Sequence, residues 1–170
     1  SPDKMVIVDL DGNVVEGMLR PSSDTKTHAV LYKHWHKIGG IAHTHSVYAT
    51  AWAQSQRDIP IFGTTHADHN TVDIPCAAPM SDEMIGGNYE YETGFQIMNC
   101  FNERKLDYNE VEMILVGNHA PFTWGKNAAK AVYNSAVLEQ VAHMALLTEQ
   151  INGNAARLKE KKKKKHFERK

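Results

Sequence analysis

The sequence predicts one domain of the α/β or α+β class, with helices covering a β-sheet. Three observations predict it. Short apolar runs of strand character, such as "VEMILVGN", alternate with segments whose apolar residues recur at helical spacing. Turn signals separate them, and no internal repeat or linker interrupts the body. The length, 170 residues, suits a single hydrophobic core. Strands and helices interleaved through one body bury their apolar faces against each other, which defines the class.

The elements follow in order. "KMVIVDLDGNVVEG" forms two short strands around a turn at Asp11, Gly12 and Asn13, a residue combination that tolerates positive φ. Ser23 or Asp24 is the natural N-cap of a helix over "TKTHAVLYKHWHK", with His28, Leu31 and Trp35 on one face and Gly39 and Gly40 ending it. "IAHTH" is a short strand, and Ser46 starts a second helix, "SVYATAWAQSQ". "IPIFGTTHAD" supplies a strand and a polar loop, and "YETGFQIMNCFNERK" is an amphipathic helix through Phe95, Met98 and Phe101. "VEMILVGN" is a buried strand running into the loop "HAPFTWG". Asn127 caps a long helix whose core stripe is Val137, Val141, Met144 and Ala145.

Composition narrows the function. The chain has 19 Lys or Arg and 20 Asp or Glu, but residues 159–170 hold eight of the first and two of the second. Residues 1–158 therefore keep 11 basic against 18 acidic residues, which argues against a nucleic-acid-binding surface on the body. The basic end, "KEKKKKKHFERK", is expected to be a solvated terminal helix or tail, so the body spans 1–158 and the tail 159–170. No run approaches the roughly 18 apolar residues of a membrane span, and no signal-peptide pattern opens the chain, so a cytoplasmic protein is the default expectation. Cys76 and Cys100 stand in unrelated contexts, which fits a reducing compartment better than a disulfide framework.

The histidines carry the chemistry. In a strand, residues i and i+2 share a face, so His43 and His45 project side by side, as two imidazole ligands of one divalent ion do. With ten histidines in the chain the pattern also arises by chance, and a third ligand is needed. His119, in the loop after a buried strand, is the best candidate for it. Asp24 is either a capping residue or a carboxylate ligand. "PSSD", Pro21 to Asp24, is an ordinary helix start or a phosphate site, and Asp68 in "GTTHAD" is a turn residue or a proton acceptor. His28, His34, His36 and His143 lie on predicted helices and are taken as structural or exposed. No nucleophile elbow, P-loop or dinucleotide fingerprint is present.

Taken in order, "RPSSDTKTH", "GGIAHTHSVYATAWAQ", "GTTHAD", "IPC", "GNYEYETG" and "HAPFTWGKNAAKAVYNSAVLEQVA" resemble the class II aldolase/epimerase family, from about Val6 to Lys170. "GTTHAD" and "PFTWGKNA" look like its epimerase branch rather than its sugar-phosphate aldolases. The resemblance implies a three-layer α/β/α sandwich around a mostly antiparallel β-sheet. It implies a catalytic zinc, or another divalent ion, held by Asp24, His43, His45 and His119. Ser22 and Ser23 would bind the substrate phosphate and Asp68 would act as one acid/base group. His166 and Arg169 would reach the phosphate in a neighbouring subunit of a homotetramer with sites between subunits. The implied activity is zinc-dependent epimerisation of a sugar phosphate by breaking and remaking a carbon–carbon bond, in pentose or ascorbate breakdown. A related aldolase and a zinc-binding protein without activity are the alternatives. The family's amino-terminal phosphate loop would precede Ser1, and the tyrosine that completes the acid/base pair would follow Lys170, so a longer protein is expected.

Overall fold

The computed structural model describes residues 4–169; Lys170, the last residue of the basic segment, lies outside the described residues, as do Ser1, Pro2 and Asp3. A four-stranded sheet forms the middle layer, built from β3 (Gly40–His43), β6 (Pro121–Gly125), β5 (Met113–Val116) and β4 (Cys76–Ala77) in that spatial order. Both pairings of β6 are antiparallel and only β4 against β5 is parallel. The sheet is thus mostly antiparallel, as expected.

Side-chain alternation along the central strands divides the core in two. Met113 and Leu115 of β5 pack with Ala49, Trp52 and Ala53 of α2 (Val47–Gln54) and with Leu138, Val141 and Ala142 of α6 (Ala128–Ile151). Ile114 and Val116, with Phe122 and Trp124 of β6, point the other way. They meet Leu31 of α1 (Thr25–His34) and Ile97, Cys100 and Phe101 of α5 (Tyr89–Arg104). Helices on both faces bury every residue of β5 and β6, which is why β5 reads as a continuous apolar run rather than an alternating one. The three-layer α/β/α sandwich is the fold observed.

Several expectations need correction. The segment "HAPFTWG" is not a loop: Pro121–Gly125 is the strand β6, paired on both sides. Pro121 is its first residue, the one position at which a missing N–H costs the ladder nothing. The expected strand in "IPIFGTTHAD" shrinks to a single bridge from Ile59 to Ile74, and Thr64–Ala67 form the short helix α3. Strand β4 and the helix α4 (Asp82–Gly86) were not anticipated. On α5 the buried stripe runs through Thr93, Ile97, Cys100 and Phe101, and Phe95 is exposed. On α6, Leu138 takes the core position and Met144 stays half exposed.

Gly39 and Gly40 do not end α1, which stops at His34. Gly40 instead admits the start of α6: a Cβ there would strike the backbone of Asn127 and Ala128. The expected hairpin is present as β1 (Ile7–Val8) and β2 (Val14–Glu16), with Asp9 binding its turn and Gly12 at φ 89°. A 2.6 Å ion pair from Lys33 to Asp11 ties that hairpin to α1. The basic segment forms α7 (Glu160–Phe167), which packs on α3 rather than standing free in solvent. Its Lys163 is 9% exposed and pairs with Glu160, and Arg157 just before it pairs with Asp73.

Candidate metal centre and substrate cleft

The histidines gather where β3 and the β5–β6 turn end side by side. His43 is the last residue of β3, in register with Phe122, and its ring stacks on Phe122 with centroids 4.0 Å apart. His45 lies beyond the strand, so the alternation argument does not hold for it, yet its ring centroid is 5.0 Å from that of His43. His119 sits in the turn between β5 and β6, 4.9 Å and 5.1 Å from the other two rings. That turn is shaped by Asn118 at φ 62°, a conformation asparagine tolerates. It is tied to α2 by Asn118 N–H donating to the Ala53 carbonyl and by the Gln56 amide donating to Asn118 Oδ1.

One ring nitrogen from each of the three histidines falls within 4.8 Å of the others, the spacing of a shared ion. Their protonation fits a metal. His43 Nδ1 is 2.9 Å from the Pro121 carbonyl, so it is the N–H nitrogen of that ring and Nε2 is left as a lone pair. Burial pushes the His43 pKa down, against the pull of that hydrogen bond and of Asp24. Burial first, then the neighbouring His43 and His45, push His119 down to about 4. Both rings are therefore neutral near pH 7, the form that binds a divalent ion. His119 Nδ1 is buried without a partner, as a polar atom rarely is unless something outside the chain completes its surroundings. The donor set fits zinc or a similar borderline ion.

Asp24 is at the N-cap position of α1 but does not cap it; its side chain accepts from Ser22 Oγ at 3.3 Å. It is not within the three-histidine group, but lines with His43, His28, Ser22 and Thr25 a cleft of about 150 Å³. Ser22 and Thr25 continue into a second cleft of about 240 Å³ that adds Ser23, Arg20 and Lys26. Two carboxylates line it as well, Asp11, paired with Lys33, and Glu90, 3.9 Å from Lys26. An anion entering there meets two serine hydroxyls, Arg20 and the N-terminus of α1, with Lys26 shared with Glu90.

Asp68 and His166 are brought together elsewhere. Asp68 ends α3, and its Oδ1 lies 2.7 Å from Nδ1 of His166 on α7. Arg169 follows in the turn after α7, its N–H donating to the His166 carbonyl. None of the three lines either cleft around the histidine group.

His28, expected to be structural or exposed, walls the cleft, with Nε2 buried and, among the described residues, unpartnered, and its ring edge-on to Phe122. Its place four residues after Asp24 on one helix face was the signal that could have found it. Nothing in the sequence pointed to the Pro121 carbonyl, which orients His43 from a segment expected to be a loop. Among the described residues no helix is long and apolar enough to cross a membrane.

The chain belongs to the class II aldolase family: the model of the Class II Aldolase and Adducin N-terminal domain matches residues 1–146. Curated relatives refine the position within it. The chain is 47% identical over 168 residues to the L-ribulose-5-phosphate 4-epimerases UlaF of Salmonella paratyphi A and Salmonella typhi, covering 99% of this chain and 73% of each relative. Among solved structures, an L-fuculose 1-phosphate aldolase superposes with a TM-score of 0.77 at 21% identity, over 99% of this chain and 73% of that one. The L-fuculose 1-phosphate aldolase of Glaciozyma antarctica does so with a TM-score of 0.74 at 18% identity, over 96% and 59%. These two show that the fold is shared.

Proposed function

We propose that the protein is a metal-dependent epimerase that converts L-ribulose 5-phosphate to D-xylulose 5-phosphate by opening and re-forming the C3–C4 bond. The observation that carries the reading is the convergence of His43, His45 and His119 at one end of the sheet. The 47% identity to epimerases of that substrate supports the choice of sugar phosphate.

C4 is not adjacent to the carbonyl at C2, so enolisation alone cannot invert it. Cleavage of C3–C4, rotation of the aldehyde fragment and re-addition to its other face can. In this reading His43, His45, His119 and Asp24 hold a divalent ion, zinc by the chemistry of the donors. When bound, the ion supplies Lewis-acid stabilisation of negative charge on the substrate oxygens. Ser22 and Ser23 bind the phosphate in a cleft that Arg20, Lys26, Asp11 and Glu90 also line. Their grip keeps the aldehyde fragment in place between cleavage and re-addition, which separates an epimerase from an aldolase. Asp68 serves the C4 oxygen on one side of the aldehyde, as one member of an acid/base pair whose other member acts on the opposite side after rotation, and His166, hydrogen-bonded to Asp68, holds the carboxylate in orientation.

The histidine group and the Asp68–His166–Arg169 edge belong to different parts of one chain. A homotetramer that sets one chain's cleft against the next chain's edge brings both halves to one substrate, with His166 and Arg169 near its phosphate. A cytoplasmic role in pentose or ascorbate catabolism accords with this substrate.

The test is product analysis on full-length protein supplied with zinc and L-ribulose 5-phosphate. Interconversion with D-xylulose 5-phosphate is the expected result. Accumulation of free dihydroxyacetone and glycolaldehyde phosphate would instead make the protein an aldolase, and bound zinc without turnover a metal-binding protein only.

A further inference from the structure

Helix α2 begins directly after His45, and its first turn is held in an unusual way. Ser46 has the extended backbone of an N-cap, φ −65° and ψ 143°, but its side chain caps nothing and its Oγ is buried without a partner. The exposed amides of the first turn are satisfied from another helix. Glu139 of α6 accepts from Tyr48 N–H and Ala49 N–H, one on each carboxylate oxygen, both at 2.9 Å. One turn further along α6, His143 stacks flat on Tyr48, with ring centroids 3.8 Å apart. A carboxylate at a helix N-terminus is favoured by charge-assisted hydrogen bonds and by the helix dipole together.

His45 is the histidine of the group that lies next to that clamp in the chain. His43 upstream is fixed by strand pairing, by Phe122 and by the Pro121 carbonyl. Among the described residues the aromatic contacts of His45 are with His43 and His119, the two other members of the group, so its direction is set largely by the backbone on either side. On one side is the end of β3, and on the other is the first turn of α2.

We propose that Glu139 is a positioning residue for the metal centre: by clamping the first turn of α2 it holds the backbone that aims His45 at the shared ion. The proposal rests on the metal reading of the histidine group. It predicts that loosening the clamp costs metal affinity although no ligand is removed, as loss of an outer partner costs about 10–100-fold elsewhere.

The experiment is zinc titration of the full-length protein against a chromophoric chelator, paired with amide hydrogen exchange at Tyr48 and Ala49. Glu139→Gln keeps the side-chain size and loses the charge and one acceptor. It should lower zinc affinity about 10–100-fold and speed exchange at both amides. Glu149→Gln is the control. It likewise removes the charge and one acceptor, here from the paired hydrogen bonds, 3.1 and 2.7 Å, by which Arg57 ties the segment after α2 to the same α6, beyond the end of α2 opposite His45. It should leave zinc affinity within about twofold of wild type. Glu139→Asp, which keeps the charge on a shorter arm, should recover part of the loss, a rescue that a general loss of stability would not show. Wild-type zinc affinity in Glu139→Gln with faster exchange at Tyr48 and Ala49 would overturn the proposal, as would equal losses in Glu139→Gln and Glu149→Gln. Absence of zinc binding in the wild type would overturn the metal reading itself, and the positioning role with it.

Discussion

Replacing His43 and His45 by alanine, one at a time, separates the metal role of the two rings from their structural roles. Both variants should lose stoichiometric zinc. Their zinc-free forms should differ. His43 stacks on Phe122 and bonds the Pro121 carbonyl at 2.9 Å, so alanine removes an aromatic contact and leaves a carbonyl of the central strand unpaired. Together these cost about 2–4 kcal/mol, which for a chain of this size lowers the melting temperature by roughly 5–15 °C. His45 is exposed and, among the described residues, its aromatic contacts are with the other two imidazoles, so its removal should cost under about 1 kcal/mol.

Calorimetry with chelator and with excess zinc, alongside metal analysis, reads both effects. Zinc at about 100 times its Kd should stabilise the wild type by about 2.7 kcal/mol and should stabilise neither variant. Stoichiometric zinc in the His43→Ala protein would refute the ligand assignment. Equal destabilisation of the two zinc-free variants would refute the claim that His43 has a second, structural attachment that His45 lacks.

Three further outcomes are expected. If each site takes its histidines from one subunit and Asp68 from the next, His43→Ala and Asp68→Asn are each inactive, but refolding them together restores roughly a quarter of wild-type turnover through mixed rings; no recovery in mixed tetramers would place Asp68 in its own chain's site. His66 is 4% exposed, and burial pushes its pKa down to about 4 against the weaker pull of the Val72 and Pro60 backbone. The unfolded chain protonates it near 6.5, so the unfolded state binds more protons between about pH 6.5 and 4; the stability is full above that window and falls by about 3 kcal/mol across it. Denaturant titrations of wild type and His66→Phe over this range should show that part of the pH dependence vanish in the variant. Finally, a Cβ on Gly94 would come within 2.7 Å of Val30 where α1 and α5 pack, so Gly94→Ala should destabilise the fold by about 1–3 kcal/mol in urea unfolding, and no loss would show that the helices can separate freely.

The sequence carried the class of fold because β5, α5 and α6 bury long stretches, and burial on that scale leaves an unmistakable pattern. It failed where a buried strand carries turn-forming residues at its ends. "PFTWG" looks like a turn by composition, since Pro121 and Gly125 bracket it, yet it is the middle of the sheet. Its pairing with β5 is a local hairpin, but its pairing with β3 is a long-range fact that no local window contains. The same limit shaped the reading of the site. His43 and His45 were visible as an alternating pair and His119 as a loop histidine, but the strand argument that joined the first two does not apply, because β3 ends at His43. What brings the three together is the order β3-β6-β5: β6 lies between the strand that ends in His43 and the strand whose turn carries His119. The first residue of β6 lends its carbonyl to His43. The misread segment is therefore the one that assembles the centre, and a change that shifts β6 by one residue would turn Phe122 and Trp124 to the wrong face and separate the histidines in the same move.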